Sequence, residues 1–479
     1  MHSIDLPPFA PILIQSTRAI GYSLEAAVAD ITDNSIAAGA STISITFFPF
    51  GDPYVAILDN GCGMDDAEIN TAMQYGSVSP LEERSKQDLG RFGLGLKTAS
   101  LSQCRKLTVV SKVYETVVCR CWDIDYVAQT EKWSLLAMTK GEIEKLPCVD
   151  RLMAQSTGTL VLWQNLDRLK MGEINFEHAL GKRMADVRRH LALVYHRYLA
   201  GEPGIKKLSM DINNEPVIPF DPFLLKKSYQ AMDDEVLTLR GQKVVIRPYI
   251  LPHISKLTAE EIASLGGKEG IRRQQGFYIY RNKRLLAWGT WFRLMRQGDL
   301  SKLARIQVDL PNSLDDLWTL DIKKSTSIPP AELRQSLSAI IERIAEKSKQ
   351  TWVYRGRKET SDTVVHIWNR MKAPNGDVFY ELNREHPAIK SLSHSGVSSS
   401  TLEAALKQIE RGLPLNQLYV DLNNDEHFVN DSSVSEDVVR SALNDMLDGR
   451  SGNERKALLD ALRYTEPFDA FPALLDSLM

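Results

Sequence analysis

Two polar residues, Asp30 and Asn34, lie four positions apart in the segment DITDNSIAAGA, whose apolar residues have helical spacing. Residues four apart lie on one face of a helix, so this carboxylate and this amide face the same space. A carboxylate placed in this way can act as a general base, and an amide oxygen can bind a metal ion. Asp33 lies about a hundred degrees around the helix, which indicates a solvated or capping acid. Capping or solvation also explains polar residues near a helix end, so the chemical interpretation needs support from elsewhere.

The second motif, LDNGCGMD, follows an apolar run that predicts a buried strand. Asp59 comes at the end of this strand, and Gly61 and Gly63 allow the following backbone to approach a planar ligand. A carboxylate at the end of an apolar strand can accept a hydrogen bond from an exocyclic amine. A plain Asp-Asn-Gly turn is the alternative interpretation.

The third motif, GRFGLGLKTAS, supplies Gly90, Gly93 and Gly95 before a predicted helix that begins near Lys97 and Thr98. Backbone amides at the start of a helix bind phosphate, and glycines let a loop wrap around it. The spacing matches neither the dinucleotide fingerprint nor the P-loop pattern. A structural glycine turn is the alternative.

The composition is that of a globular protein with 479 residues, 25% charged residues and a net charge of −3. There is no long apolar run and no basic, apolar leader, so we expect a cytoplasmic protein with no membrane span. The five cysteines lack CxxC pairs and the nine histidines are scattered, which argues against a disulfide scaffold and a zinc site. Because the net charge is close to neutral, contact with nucleic acid requires a local basic patch.

Alternating apolar and polar residues predict strands in STISITFFPF and YVAILDN, and further strands in KLTVVSKV, TVVCRCWDI and GTLVLWQNL. The predicted helix around Asp30 covers this sheet. We therefore predict a first domain over residues 1–170, a second mixed domain over 171–350, and a small appended module over 351–479 that is mostly helical.

The order of these motifs resembles that of the GHKL ATPases, the superfamily of gyrase, heat-shock chaperones, histidine kinases and MutL. NSIAAGASTISITF and DNGCGM are similar to MutL-like chains, whereas GFYIYRNKRLL and GTLVLWQNL are similar to MORC and its prokaryotic relatives. The resemblance covers about the first 350 residues. It implies an α+β fold: a Bergerat-type ATP-binding α/β sandwich, then a transducer-like α/β domain, and then a small, mainly helical C-terminal region.

The resemblance implies ATP and Mg²⁺ as ligands, with Asp30 as the general base and Asn34 as the metal ligand. The family normally has Glu where this chain has Asp30, and the side chain is shorter by about 1.5 Å, so either slow hydrolysis or a helix shifted slightly inward is expected. Asp59 is implied to bind the adenine amine, and Lys324, in preference to Lys323, to reach the γ-phosphate, although a surface lysine pair is the alternative. The remaining implied nucleotide contacts are Gly61, Gly63, Met64, Gly93, Leu94, Gly95, Leu96, Lys97, Thr98 and Thr159.

The family implies an ATP-dependent homodimer that acts as a clamp on double-stranded DNA, in repair, restriction or defence against phage. Basic residues between Arg272 and Arg296, interleaved with aromatic residues between Phe277 and Trp291, are a candidate DNA-facing surface, with a core and a solvated face as the alternative. A second hypothesis is a nucleotide-dependent switch with little hydrolysis, whose C-terminal region recruits partner proteins. A chaperone is a third, and a histidine kinase is disfavoured because the ATPase-like part comes first.

Overall fold

The computed structural model describes residues 8–19, 21–76, 95–230, 233–298, 301–314, 319–320, 327–328, 334–344, 365–372, 378–392, 398–415, 418, 436–448, 450 and 452–478. The chain forms two compact units, Met1–Val353 and Tyr354–Met479.

The larger unit begins with an eight-stranded sheet and its helices. The helices are α1 (Ala10–Arg18), α2 (Leu24–Ala37), α3 (Asp66–Met73), α4 (Gly95–Leu101), α5 (Ile124–Thr130), α6 (Lys140–Ile143), α7 (Val149–Met153), α8 (Asp167–Lys170), α9 (Phe176–Val194) and α10 (His196–Ala200). The strands are β1 (Thr42–Phe48), β2 (Tyr54–Asp59), β3 (Lys106–Val113), β4 (Thr116–Asp123), β5 (Leu136–Ala137), β6 (Thr157–Gln164), β7 (Ser209–Ile212) and β8 (Glu215–Pro216). Their order across the sheet is β5-β4-β3-β6-β2-β1-β7-β8.

Strands β2, β3 and β6 lie in the middle of this sheet and are buried on both faces. Successive side chains of a strand point to opposite faces, so Val55 and Ile57 of β2 pack towards the α2 side. Ala56 and Leu58 pack in a second cluster with residues of α6 and α7. The functional segments that follow β2 are therefore held by a strand with little freedom to move.

Helix α2 begins and ends at the positions that its local sequence favours. The Ser23 side chain accepts a hydrogen bond from the Ala26 amide, which caps the first turn. Beyond the last turn, Gly39 has a φ of +75°, a conformation that glycine adopts easily. Between these ends, Val28 and Ile31 are buried against the sheet. The predicted helix is confirmed.

The larger unit continues with a second sheet. Its strands are β9 (Tyr229–Gln230), β10 (Glu235–Leu239), β11 (Gln242–Ile250), β12 (Gly276–Arg281), β13 (Arg284–Thr290) and β14 (Ala304–Leu310), and a separate short pair is formed by β15 (Thr319–Leu320) and β16 (Ser327–Ile328). The main path is β10-β11-β14-β12-β13, with β9 paired to β11. Helices α11 (Ala259–Ser264), α12 (Gly267–Arg273) and α13 (334–344) accompany this sheet.

The smaller unit, as far as it is described, contains one hairpin and several helices. The hairpin consists of β17 (Trp368–Lys372) and β18 (Val378–Leu382), and the helices are α14 (Pro387–Leu392), α15 (Ser399–Arg411), α16 (Glu436–Leu447), α17 (Asn453–Leu462) and α18 (Pro472–Ser477). In the described part of the chain, no helix is long and apolar enough to cross a membrane.

The predicted α+β class is confirmed. The eight-stranded sheet continues past the predicted boundary at residue 170, because β7 and β8 pair at its edge. The division into three domains stays a prediction.

Gly63 has a φ of +76°, and a Cβ there would lie 2.2 Å from the Lys112 carbonyl oxygen. Gly63→Ala should therefore lower the free energy of unfolding by about 1–2 kcal/mol for the left-handed backbone, and by about 1–3 kcal/mol more for the clash. Gly39→Ala is the matched control, since Gly39 has a φ of +75° with no atom within 4 Å of the added Cβ. Urea unfolding of both variants measures the difference, and equal losses would contradict the clash.

Candidate functional site

Asp30 and Asn34 lie on one face of α2, as the spacing predicts. Asn34 is exposed and Asp30 is half-buried. A Cβ added to Gly95, the first residue of α4, would lie 3.5 Å from Asp30 Oδ2. The structure therefore brings the predicted base next to the helix that begins within the glycine-rich motif.

Asp59 is a buried carboxylate at the end of β2. It is 5% exposed. The Ser35 hydroxyl donates to Asp59 Oδ2 at 2.7 Å, and the Gly61 amide donates to Oδ1 at 2.8 Å. Burial raises the pKa of Asp59, and the hydrogen bonds from Ser35, Gly61 and Thr159 act in the opposite direction.

Three neighbouring strands place polar residues in a row beside this carboxylate. Thr159 of β6 pairs with Asp59 of β2 on one side and with Ser111 of β3 on the other. The Ser111 and Thr159 hydroxyl oxygens lie 3.0 Å apart, and the Met64 amide donates to Ser111 Oγ at 2.8 Å. Ser111 fixes the loop after β2, and its only signal in the sequence is a polar residue within an apolar strand.

The glycines after β2 keep the backbone close to Asp59. A Cβ on Gly61 would lie 2.8 Å from Ala38 Cβ and 3.0 Å from Asp59 Oδ1. Gly158 has the same function on the neighbouring strand, because its added Cβ would lie 2.3 Å from the Asp59 carbonyl oxygen. Met64 is half-buried and packs against the main core.

Lys97 and Thr98 have buried side chains. The Lys97 amine donates to the carbonyl oxygens of Ala72 and Gln74, both at 2.9 Å, and so holds α4 to the end of α3. Burial lowers the pKa of Lys97 to about 8. Leu96 is half-buried beside them.

The structure brings the predicted residues together in two groups. Asp30, Asn34 and Gly95 form one group, and Ser35 of the same helix connects it to Asp59 in the other. Five of the predicted site residues lie outside the described residues: Gly90, Gly93, Leu94, Lys323 and Lys324.

Asp33 is not a solvated or capping acid, and that prediction was wrong. It is 1% exposed. The Tyr195 hydroxyl donates to Asp33 Oδ1 at 2.6 Å, and Arg284 Nε donates to the same oxygen at 3.1 Å. The side of α2 that bears Asp33 faces these two side chains rather than solvent.

The predicted DNA-facing surface is wrong for most of its aromatic residues. Phe277, Tyr278 and Tyr280 are fully buried in the second sheet, where aromatic residues on both faces of β12 form core. Arg281 and Arg284 are buried as well. The exposed basic side chains of this segment are Arg272, Arg273, Arg293 and Arg296.

A family model described as histidine kinase-, DNA gyrase B- and HSP90-like ATPase matches residues 22–159. The matched segment begins just before α2 and ends at Thr159, so it contains both groups of site residues. Residues 22–159 are therefore similar to the ATPase domains of the GHKL superfamily.

Similar proteins match about a fifth of this chain. A DNA mismatch repair protein MutL from Rhodospirillum rubrum is 32% identical over 106 residues, which cover 21% of this chain and 17% of that protein. MutL from Shewanella woodyi is 30% identical over 112 residues, which cover 23% of this chain and 16% of that protein. The DNA mismatch repair protein PMS1 from Arabidopsis thaliana is 29% identical over 105 residues, which cover 22% of this chain and 11% of that protein. The match thus spans less than a fifth of the length of these relatives.

A solved structure described as the N-terminal domain of a DNA repair protein aligns with 71% of this chain and 98% of its own, at 16% identity and a TM-score of 0.42.

Asp59→Asn should weaken ATP binding by about 10–150-fold, because a hydrogen bond to a charged group contributes roughly 1.5–3 kcal/mol. Asp65→Asn is the matched control, since Asp65 caps α3 nearby and Asn caps a helix equally well. Titration calorimetry of both variants measures the affinity. Equal ATP affinity in Asp59→Asn and wild type would show that Asp59 does not bind the nucleotide.

The folded state should gain stability from deprotonation of Lys97 as the pH rises. The pKa of Lys97 is about 8 in the folded protein and ordinarily 10.5, so the unfolded chain binds the proton more tightly. The penalty for burying the ammonium is fully present below pH 8 and is lost between pH 8 and 10.5. Relative to a Lys97→Met variant, the free energy of unfolding of wild type should rise by at most about 3 kcal/mol between these pH values. Urea unfolding of both proteins measures it. If the difference in free energy of unfolding between the two proteins did not change with pH, the lowered pKa of Lys97 would be contradicted.

Proposed function

We propose that this protein binds ATP with Mg²⁺ and hydrolyses it slowly, and that nucleotide binding closes a homodimer into a clamp on double-stranded DNA. The observation that carries the proposal is the row of Asp59, Thr159 and Ser111 at the ends of three buried strands. This row lies in the segment that matches the GHKL ATPase model.

The row supports recognition of an adenine ring. Asp59 is an acceptor for an exocyclic amine, and a hydrogen bond to a buried carboxylate is stronger than one made in water. Gly61 lets the backbone lie close to Asp59 Oδ1, because a Cβ at this position would lie 3.0 Å from that oxygen. Half-buried Met64 supplies an apolar surface for the ring.

Asn34 supports Mg²⁺ binding beside the phosphates. It is exposed and offers an amide oxygen, and Mg²⁺ in nucleotide sites takes one or two protein ligands together with phosphate and water. When bound, Mg²⁺ neutralises phosphate charge. Gly95 and Leu96 are proposed to lie along the phosphates with Gly93 and Leu94, and Lys324 to reach the γ-phosphate, with Lys323 as the alternative.

Asp30 is the proposed general base, which accepts the proton of the attacking water at a carboxylate oxygen. Its position beside Gly95 supports this role. Because Asp is shorter than Glu by one methylene, the carboxylate is drawn back by about 1.5 Å, while a base must reach its water within roughly 3 Å. Slow turnover follows.

DNA as the partner is supported by the names of the similar proteins, which are DNA mismatch repair proteins. The exposed side chains of Arg272, Arg273, Arg293 and Arg296 are the proposed phosphate contacts, since phosphate contacts come mainly from Arg and Lys. We further propose that the clamp has a MORC-like role in repair, restriction or defence against phage.

The burial of Phe277, Tyr278 and Tyr280 favours a second candidate function. These three rings are not available to stack on the bases of a single strand. The alternative is an ATP-dependent switch that binds partner proteins through residues 351–479 and hydrolyses little ATP.

Asp30→Asn should lower kcat for ATP hydrolysis by about 100-fold or more and leave ATP affinity unchanged, because general-base catalysis contributes roughly 10²–10⁴-fold. Glu25→Gln is the control, since Glu25 lies in the first turn of the same helix. Steady-state hydrolysis with and without double-stranded DNA, at low and moderate salt, is the measurement.

Stimulation by DNA that weakens with salt supports the clamp, because phosphate contacts release counterions. ATP binding without turnover or DNA response supports the protein-binding switch. Full turnover in Asp30→Asn removes Asp30 from the reaction.

A further inference from the structure

A buried ion pair connects the helix of the candidate site to the second sheet. Asp33 of α2 accepts a hydrogen bond from Arg284 Nε, at 3.1 Å, and Arg284 is the first residue of β13. The side chains of Asp33 and Arg284 are 2% and 6% exposed. Asp33 lies within one helical turn of Asp30 and directly before Asn34.

Tyr195, at the junction of α9 and α10, completes this group. Its hydroxyl lies 2.7 Å from the Ala29 carbonyl oxygen and 2.6 Å from Asp33 Oδ1. The Arg284 guanidinium carbon lies 5.8 Å from the centre of the Tyr195 ring. Tyr195 therefore gives the pair both a hydrogen-bonding and an aromatic partner, and the burial of both side chains leaves water little access to it.

Arg284 has little freedom to move independently of its hairpin, because the hairpin turn before it is anchored. Asn282 and Lys283 have positive φ values of 46° and 64°. The Tyr198 hydroxyl donates to the Asn282 carbonyl at 2.7 Å, and the Lys283 amine donates to the Pro203 carbonyl. The turn thus stays with α10 and the residues after it.

The anchored hairpin is also connected to the strand that precedes Lys324 in the chain. Strand β12 runs parallel to β14, with Arg281 opposite Leu310 at the ends of the two strands. The chain leaves the sheet after Leu310, at the end where Arg284 begins β13. Arg284 and the point where the chain leaves the sheet after Leu310 therefore lie at the same end of the sheet.

We propose that Arg284 is a positioning residue for ATP hydrolysis: through Asp33 it sets the rotation of α2, and so the direction of Asp30 and Asn34, relative to the second sheet. This inference rests on the proposed function. A helix turn is rigid, so a displacement of Asp33 moves Asp30 by a similar distance. An error of about 1 Å in the position of a catalytic group is enough to lower a rate by about 100-fold.

The same contact acts in the reverse direction. Any nucleotide-induced shift of α2 displaces Asp33, and the buried carboxylate takes Arg284 with it because separating the pair leaves an unpaired charge in the interior. Nucleotide binding therefore also displaces the hairpin of β12 and β13.

The test uses two variants of the full chain. Arg284→Lys keeps the charge and loses the planar donor geometry of Arg. The double variant Asp33→Asn with Arg284→Gln removes both charges together and leaves no unpaired ion, so it stays folded if Arg284→Lys does not. Arg247→Lys is the matched control, because Arg247 pairs with Asp309 within the second sheet.

Both variants should lose at least about tenfold in kcat per ATP-binding site, with ATP affinity unchanged. In wild type, ATP should change the hydrogen exchange of amides in β12 and β13, and this response should be absent in both variants. The control should keep wild-type kcat and the wild-type exchange response. A merely structural ion pair would lower the melting temperature without changing kcat per binding site or the response.

Two outcomes overturn the inference and are distinguishable. If wild type binds and hydrolyses ATP and the variants keep its kcat and exchange response, only the positioning role fails. If purified wild type binds no ATP, the proposed function fails and the inference fails with it.

Discussion

The structure of the candidate site depends on helix α2, which holds polar side chains in three directions while most of its surface is buried. Asp30 and Asn34 face the open side, Ser35 donates to Asp59, and Asp33 pairs with Arg284. An unpaired buried carboxylate is strongly unfavourable, so Asp33 and Asp59 both require their partners. These two requirements fix the helix against β2 on one side and β13 on the other. The face that bears Asp30 and Asn34 therefore has a fixed direction.

The second fixed feature is the end of β2. Because β2, β3 and β6 are buried on both faces, their register cannot slip without moving apolar residues into the wrong layer. That register places Thr159 between Asp59 and Ser111. A carboxylate, two hydroxyls and glycine backbone thus meet where these paired strands lie side by side.

Local pattern predicted a large part of this arrangement. The helical spacing around Asp30, the strand that ends at Asp59 and the strand alternation in β1 are short-range properties, and the structure has these elements there. The prediction for Asp33 is wrong because its partner Arg284 lies 251 residues further along the chain, and no local pattern indicates such a contact. The prediction that the aromatic residues of β12 face DNA is wrong because alternation along a strand does not say whether both faces are covered.

The most direct test of the account is a crystal structure of the protein with a non-hydrolysable ATP analogue and Mg²⁺. We predict the adenine amine within hydrogen-bonding distance of Asp59, the metal on Asn34, and a water on the Asp30 carboxylate in line with the γ-phosphate. Nucleotide bound elsewhere, for example in the cavity of about 980 Å³ beside Arg197 and Arg247, with the space next to Asp59 empty, would contradict it.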